Sequence, residues 1–399
     1  MWKRCLLPLS LLILAGCATV PITGRSQLLI VPESEEIAMG EEAYRHILRE
    51  SALSRHPEAL RIVRKVGRKI ARVADKPRYN WEFSVIDDPE RVNAFAVPGG
   101  KVAVYTGMFP VVQDEAGLAV VLGHEVAHAL ARHPGERMSQ DMFFQLGGLG
   151  LSAALGSNPG LANQVLQVYG LGTQVGVVLP FGRGQESEAD RIGLILMAKA
   201  GYDPRVALKV WERMEKQDRA KGEGFPPEFL STHPGYETRT RQLRSWIPEA
   251  MKHYRPSRER VDSLPTLSSL DSPVTRAERE MLKRVQAVNR QARGARGERA
   301  VVQALGLLLR MDPAILFRER QQLRLGYGQY AALRGVAWLG NRSLRSVQMA
   351  YERGSSWSEL SRDHGTKLTE LLSFMRRLLQ RSVQILGRRQ YRSPRIFHR

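Results

Sequence analysis

The sequence predicts an α+β protein, predominantly α-helical with one small β-sheet, that carries a basic and mainly helical C-terminal region. Three observations lead there. Apolar residues recur at helical spacing over long stretches, as at Leu60, Val63, Val66, Ile70 and Val73. Between residues 81 and 107 the period changes to alternation. Past residue 250 Pro and Ser thicken and the chain then turns Arg-rich. Residues 251–399 hold 30 Lys+Arg against 12 Asp+Glu, so +18 of the total +20 lies there and +2 remains for residues 1–250.

With 399 residues and 43% apolar content the chain can build a real core, which excludes wholesale disorder. The N-terminus opens with Lys3 and Arg4 ahead of a short apolar run, Cys5 to Ala15, too short to span a bilayer as a mature helix. It ends in Leu14-Ala15-Gly16-Cys17, which resembles the bacterial lipobox. That resemblance implies a signal peptide over 1–16, lipidation of Cys17, and a lipidated tether over 17–33. An ordinary signal peptide or an uncleaved anchor is the alternative. Ala18 after the Cys implies the outer membrane. The two cysteines, Cys5 and Cys17, would leave the mature protein without a disulfide, so its fold must rest on a core and on any metal.

The elements follow in order. Ser34 is a plausible N-cap with acidic residues in the first turn behind it. Residues 58–74 form an amphipathic helix whose basic face is read as solvated. Residues 81–88 and 101–107 alternate as strands, with 93–100 between them ending in the turn signal Pro98-Gly99-Gly100. Residues 115–132 return to helix. Met142 to Phe181 reads as two helices about a turn at 156–160, and a further helix covers 185–200. Helices over 205–217 and near 229–247 close a compact domain assigned to 34–250. Residues 251–274 read as a linker, and 275–399 as the basic, mainly helical region. No repeat of fixed period is evident.

The stretch "VVLGHEVAHALARH" (120–133) places His124 and His128 at i and i+4, so their imidazoles leave one helix face about a turn apart. That spacing suits two ligands of one tetrahedral Zn²⁺. Glu125, about 100° around, can reach a water at the metal instead of the metal itself. Two satisfied core histidines are the alternative. "GRGQESEADRIGL" (182–194) supplies a third ligand in Glu186, completing a His₂Glu set, while Asp190 on the same face can accept the free N–H of a ligand imidazole. Glu188 points away from that face. His133 lies about 140° around from His128 and is read as structural, not as a ligand.

H-E-x-x-H followed by E-x-x-x-D on a later helix resembles the HtpX/OMA/BepA-like family of membrane-associated gluzincin metallopeptidases. The local matches "TGRSQLLIVPE", "NAFAVPGGKVAVYTGM", "GHEVAHALARH", "ESEADRIG" and "STHPGYETR" fall in family order over about residues 20–245. The resemblance implies a zincin-type fold, one Zn²⁺ per chain on His124, His128 and Glu186, and Glu125 as general base. It also implies that the strand Lys101, Val102, Ala103, Val104, Tyr105 lies along the cleft and pairs with an extended substrate. Asn93 resembles an asparagine near the substrate or oxyanion. His233 and Arg239 match a His…Arg pair six apart, with His233 donating to the oxyanion or closing the zinc as a fourth ligand in a latent state. An ordinary cap at Asn93 and a turn before Pro234 are the alternative readings.

The C-terminal region departs from the repeat array of BepA-like members. "GSSWSELSRDHGTKLTELL" suggests two short helices about a Gly turn, as in a helix-turn-helix or a degenerate LysM-like, peptidoglycan-binding segment. An exported protein meets no chromosome, so no nucleic acid is expected. The charge suits anionic lipids or lipopolysaccharide, and a solvated helical surface without a specific partner is the plainer reading. The whole reads as an outer-membrane-tethered, periplasmic zinc endopeptidase acting on unfolded or misassembled envelope proteins. The rival reading is an assembly factor or chaperone with a latent zinc site.

Overall fold

The computed structural model describes residues 17–154, 179–220 and 236–388, apart from 258 and 260. The chain forms two compact units, 17–48 with 53–270, and 49–52 with 271–388. No single helix among the described residues is long and apolar enough to cross a membrane.

The first unit opens with a small hairpin, β1 (Cys17–Thr19) antiparallel to β2 (Ser26–Leu28). Helices α1 (Glu33–Arg49) and α2 (Pro57–Ala74) follow. Next comes a three-stranded sheet of β3 (Glu82–Ile86), β4 (Ala94–Val97) and β5 (Lys101–Tyr105). Helix α3 (Glu115–Leu130) starts at Asp114, whose carboxylate accepts from Gly117 N–H at 2.8 Å. The unit continues with α4 (His133–Ala154), α5 (Leu179–Lys199), α6 (Val206–Ala220) and α7 (Tyr236–Met251).

All 16 residues of α3 are buried, His124, Glu125 and His128 included. Its apolar side chains fill the centre of the core while α2, β4, α5 and α6 pack around it. A helix apolar on every side belongs at such a centre. Helices α3 and α5 approach backbone to backbone. A Cβ on Gly123 would sit 2.9 Å from the Gly193 carbonyl oxygen, and one on Gly193 would sit 2.9 Å from the His124 backbone nitrogen. Glycine is needed at both positions because only bare backbone fits there.

Helix α3 stops at Arg132, which takes a left-handed conformation (φ 55°) that costs a non-glycine residue about 1 kcal/mol. Glu36 offsets this by accepting two bonds from the Arg132 guanidinium, at 2.6 and 3.2 Å. Gly135 leaves room for that carboxylate, since a Cβ there would meet it at 2.0 Å. The break ends α3 and starts α4 at His133.

Three expectations are corrected. Residues 17–33 do not form a free tether. Val20 is part of the core, and Ile30 N–H donates to Ser139 Oγ at 2.9 Å. Residues 251–270 are no linker, because Leu264 N–H donates to Gln113 O (2.8 Å) and Glu115 N–H to Asp262 O (3.0 Å), holding this stretch to the head of α3. Strand β5 is central, parallel to β3 on one side and antiparallel to β4 on the other.

The second unit is a helical bundle of α8 (Pro273–Gln291), α9 (Gly294–Leu309), α10 (Pro313–Leu323), α11 (Tyr327–Leu339), α12 (Leu344–Glu352), α13 (Trp357–Asp363) and α14 (Leu368–Arg388). Its own apolar core includes Tyr330, Trp357 and Phe374. The turn expected near His364-Gly365 is present, with Gly365 at φ 80°. The strands that a LysM-like reading requires are absent among the described residues of this unit.

Substituting Gly193→Ala is expected to destabilise the first unit by about 1–3 kcal/mol, the usual cost of overpacking a closed contact. Thermal unfolding against the parent measures it.

Candidate metal centre

The site is built where α3 meets α5. His124 and His128 project from one face of α3, and Glu186 and Asp190 from one face of α5, the close helix approach bringing the two faces together. His124 Nε2 lies 3.1 Å from His128 Nε2 and 3.2 Å from Glu186 Oε2, while His128 Nε2 lies 3.4 Å from Glu186 Oε1. Ligands held about 2.0–2.1 Å from a tetrahedral zinc stand roughly 3.3 Å apart, so the triad already has the right spacing. All three side chains are buried.

The donor set fits a divalent cation on protonation grounds as well. Asp190 Oδ1 accepts at His124 Nδ1 (3.0 Å), and the Nδ1 of His128 faces His133 Nδ1 (2.8 Å). Protons on the two ligand Nδ1 atoms leave both Nε2 lone pairs and a carboxylate facing one point, an arrangement that suits a divalent cation. Burial opposes a charge on His124, but the hydrogen bonds to Asp190 and Glu186 outweigh it and push its pKa up to about 9. Burial drives His128 the other way, well below 6.5, despite Glu186.

Asp190 is held in turn by Arg239 on α7. The guanidinium donates through Nε to Oδ2 (2.7 Å) and Nη2 to Oδ1 (2.6 Å), with Nη1 3.6 Å from Glu186 Oε2. It lies over the Trp211 ring, 4.0 Å from the centroid. Burial pushes Asp190 up, but Arg239 and His124 hold it below the usual carboxylate range. Arg239, expected to touch substrate, is 1% exposed and spends its donors here. It orients ligands through Asp190.

Glu125 is buried beside the triad, and its Oε2 accepts from Ala96 N–H at 3.1 Å. That bond fixes which edge of the sheet faces the site. Both edges of Lys101, Val102, Ala103, Val104 and Tyr105 are taken by β3 and β4, and the five residues are buried. The expected pairing of substrate with this strand is therefore corrected: the outer edge of β4, which pairs with no other strand among the described residues, is the one whose Ala96 reaches Glu125. Lys101 Nζ donates to Asn80 O at 2.9 Å, away from the site. Asn93 is buried at the head of β4, where its Oδ1 accepts from Ala94 N–H at 2.8 Å. His233 lies outside the described residues. Cys17 opens β1, opposite Leu28.

Sequence reasoning missed the partners of His128. His133 and Glu188, read as structural and as facing away, are both buried, and His133 Nε2 lies 3.1 Å from Glu188 Oε2. The 140° estimate assumed one continuous helix, and the left-handed Arg132 breaks it. A His three residues past the helix end was the available signal.

Comparison with known proteins gives consistent matches over this unit. The model of peptidase family M48 matches residues 57–247. The mitochondrial metalloendopeptidase OMA1 of Schizosaccharomyces pombe is 38% identical over 241 residues, covering 58% of this chain and 66% of that protein. Its counterpart from Saccharomyces cerevisiae is 33% identical over 253 residues, covering 59% and 71%. The β-barrel assembly-enhancing protease of Escherichia coli is 28% identical over 231 residues, covering 57% and 47%. The chain thus spans from about half to seven tenths of the length of these relatives.

Asp190→Asn is expected to lower zinc affinity roughly 10–100-fold, the usual cost of losing a ligand's orienting carboxylate. Competition with a chromogenic chelator measures it.

Proposed function

The chain belongs to peptidase family M48, a family of zinc metallopeptidases, and from that premise we propose that it is an endopeptidase of a bacterial envelope that cleaves misfolded or misassembled envelope proteins. The observation that carries the proposal is the convergence of His124, His128 and Glu186 beside Glu125, itself bonded to the outer strand β4. Zinc held by the triad supplies Lewis-acid polarisation of a peptide carbonyl and eases deprotonation of water toward neutral pH.

The remaining work belongs to side chains. Glu125 takes a proton from the attacking water onto its carboxylate and returns it to the amine nitrogen as the C–N bond breaks. Ala96 N–H orients that carboxylate. An extended chain pairing with the outer edge of β4 would pass directly beside Glu125, and such pairing uses main-chain bonds that any sequence offers only when unfolded. This favours misfolded clients over folded ones.

The envelope assignment rests on the Leu14–Cys17 pattern and on relatives in Escherichia coli and Yersinia pestis named β-barrel assembly-enhancing protease. On this reading a lipid on Cys17 anchors the chain at the periplasmic face of the outer membrane. The Arg-rich second unit would then meet anionic lipid or lipopolysaccharide. The chaperone reading depends on His233 and gains no support from the described residues.

Cleavage of unfolded casein by the full-length chain in detergent tests the enzyme. The parent is expected to cut and Glu125→Gln to lose at least about 100-fold in rate, as removal of a general base does, with zinc retained in both. Equal cleavage by the two proteins would contradict the assigned base.

A further inference from the structure

His124 has its orienting carboxylate directly, in Asp190. The arrangement at His128 differs. Its Nδ1 faces His133 Nδ1 at 2.8 Å, and His133 passes the contact on through Nε2 to Glu188 Oε2 at 3.1 Å. Glu188 is held from the N-terminal segment. Arg25 Nε donates to its Oε2 at 2.7 Å, and Thr23 Oγ1 donates to its Oε1. The rest of the Arg25 guanidinium is clamped by Glu136, with Nη1 and Nη2 each 2.8 Å from one carboxylate oxygen. Glu136 also accepts from Gln185 Nε2 at 2.9 Å.

We propose that His133 is a positioning residue for the metal ligand His128, and that Thr23 and Arg25 of the N-terminal segment complete this arm of the site through Glu188. The inference rests on the reading of His124, His128 and Glu186 as zinc ligands.

Proton bookkeeping gives the arm its direction. A His128 that offers its Nε2 lone pair to a cation carries its proton on Nδ1 and donates it to His133 Nδ1. His133 must then carry its own proton on Nε2, where it donates to Glu188. An ionised carboxylate has no proton to give back, so it ends the chain as a pure acceptor. Reversing any link would put a proton on His128 Nε2, facing the metal position. The arm therefore selects the ligating tautomer of His128 as well as its orientation.

The N-terminal segment is built to hold the far end. Ile22 and Gly24 take left-handed conformations (φ 73° and 71°) that turn the chain between β1 and β2 and present Thr23 and Arg25 inward. Val20 anchors the hairpin in the core. Without Arg25 and Thr23, Glu188 would keep, of these donors, His133 alone, and a buried carboxylate short of donors moves to find others. The segment that begins at Cys17 is thus coupled to the metal centre by four side chains. The coupling accounts for its packing on the domain where a tether would have sufficed.

Zinc affinity of the full-length chain, stripped of metal and titrated against a chromogenic chelator, tests the arm without any activity measurement. Visible spectra of the Co²⁺-loaded protein report ligand geometry alongside. His133→Phe is expected to weaken zinc binding about 10–100-fold and to shift the Co²⁺ bands. His133→Gln, whose amide can accept from His128 and donate to Glu188, is expected to recover most of that loss. Arg25→Ala, at a half-exposed position, is expected to fall between parent and His133→Phe. The arm is overturned if His133→Phe binds as tightly as the parent, or if the Gln and Phe variants are equally impaired, which would mean packing alone. Should His133→Phe fail to fold, unchanged affinity in Arg25→Ala overturns the N-terminal contribution. A parent that takes up no zinc overturns the underlying metal site as well, whereas zinc in the parent with unaffected variants overturns the arm alone.

Discussion

The structure depends on one close contact, the crossing of α3 and α5 backbone against backbone at Gly123 and Gly193. Neither helix could supply the site by itself. Helix α3 carries two imidazoles and a carboxylate in a fully buried setting, and α5 carries three acids within five residues. Only at glycine-to-glycine range do Glu186 and Asp190 reach the rings of His124 and His128. Side chains at the crossing would separate the helices and stretch the 3.0–3.4 Å contacts that Glu186 and Asp190 make with the two imidazoles.

Burying so many charges carries a cost that hydrophobic packing must offset. Among the described residues buried at the site, Glu125, Glu186 and Asp190 face one buried guanidinium, that of Arg239, with the half-exposed Arg137 at the rim 3.4 Å from Glu186. A divalent cation between the histidines balances this excess of carboxylate. The all-apolar surface of α3 and its neighbours supplies the compensating burial and excludes the water that would weaken these charges. A core helix with histidines at its centre is therefore consistent with one role: the apolar residues hold rigid what the polar residues present.

Much of this was legible in the sequence because it rests on short-range periodicity. The i, i+4 spacings of His124 with His128 and of Glu186 with Asp190 fix shared faces once a helix forms, and the structure places these four residues together. The central helix and the Pro98-Gly99-Gly100 turn, with both glycines at positive φ, were readable for the same reason. What local pattern could not reveal was pairing between distant segments. Strand order depends on which edges meet, so the resemblance set an extended substrate against Lys101–Tyr105, which is the central strand. Arg25 meets Glu136 and Glu188 across more than a hundred residues, and nothing near Arg25 distinguishes it from a solvated tether residue. His133, read as structural and not as a ligand, does stay outside the triad, but its contact with His128 was hidden because a single left-handed residue, stabilised from Glu36, interrupts the helix that the 140° figure assumed.

The central claim is a single zinc held by two imidazoles and a carboxylate where these helices cross. X-ray absorption at the zinc edge of the purified full-length chain tests it most directly. The account predicts one zinc per chain with a shell of nitrogen and oxygen neighbours at about 2.0–2.2 Å, two of the nitrogens showing the multiple scattering of imidazole, and loss of one imidazole signature in His128→Ala. A protein that retains no zinc, or a shell unchanged by that substitution, would contradict it.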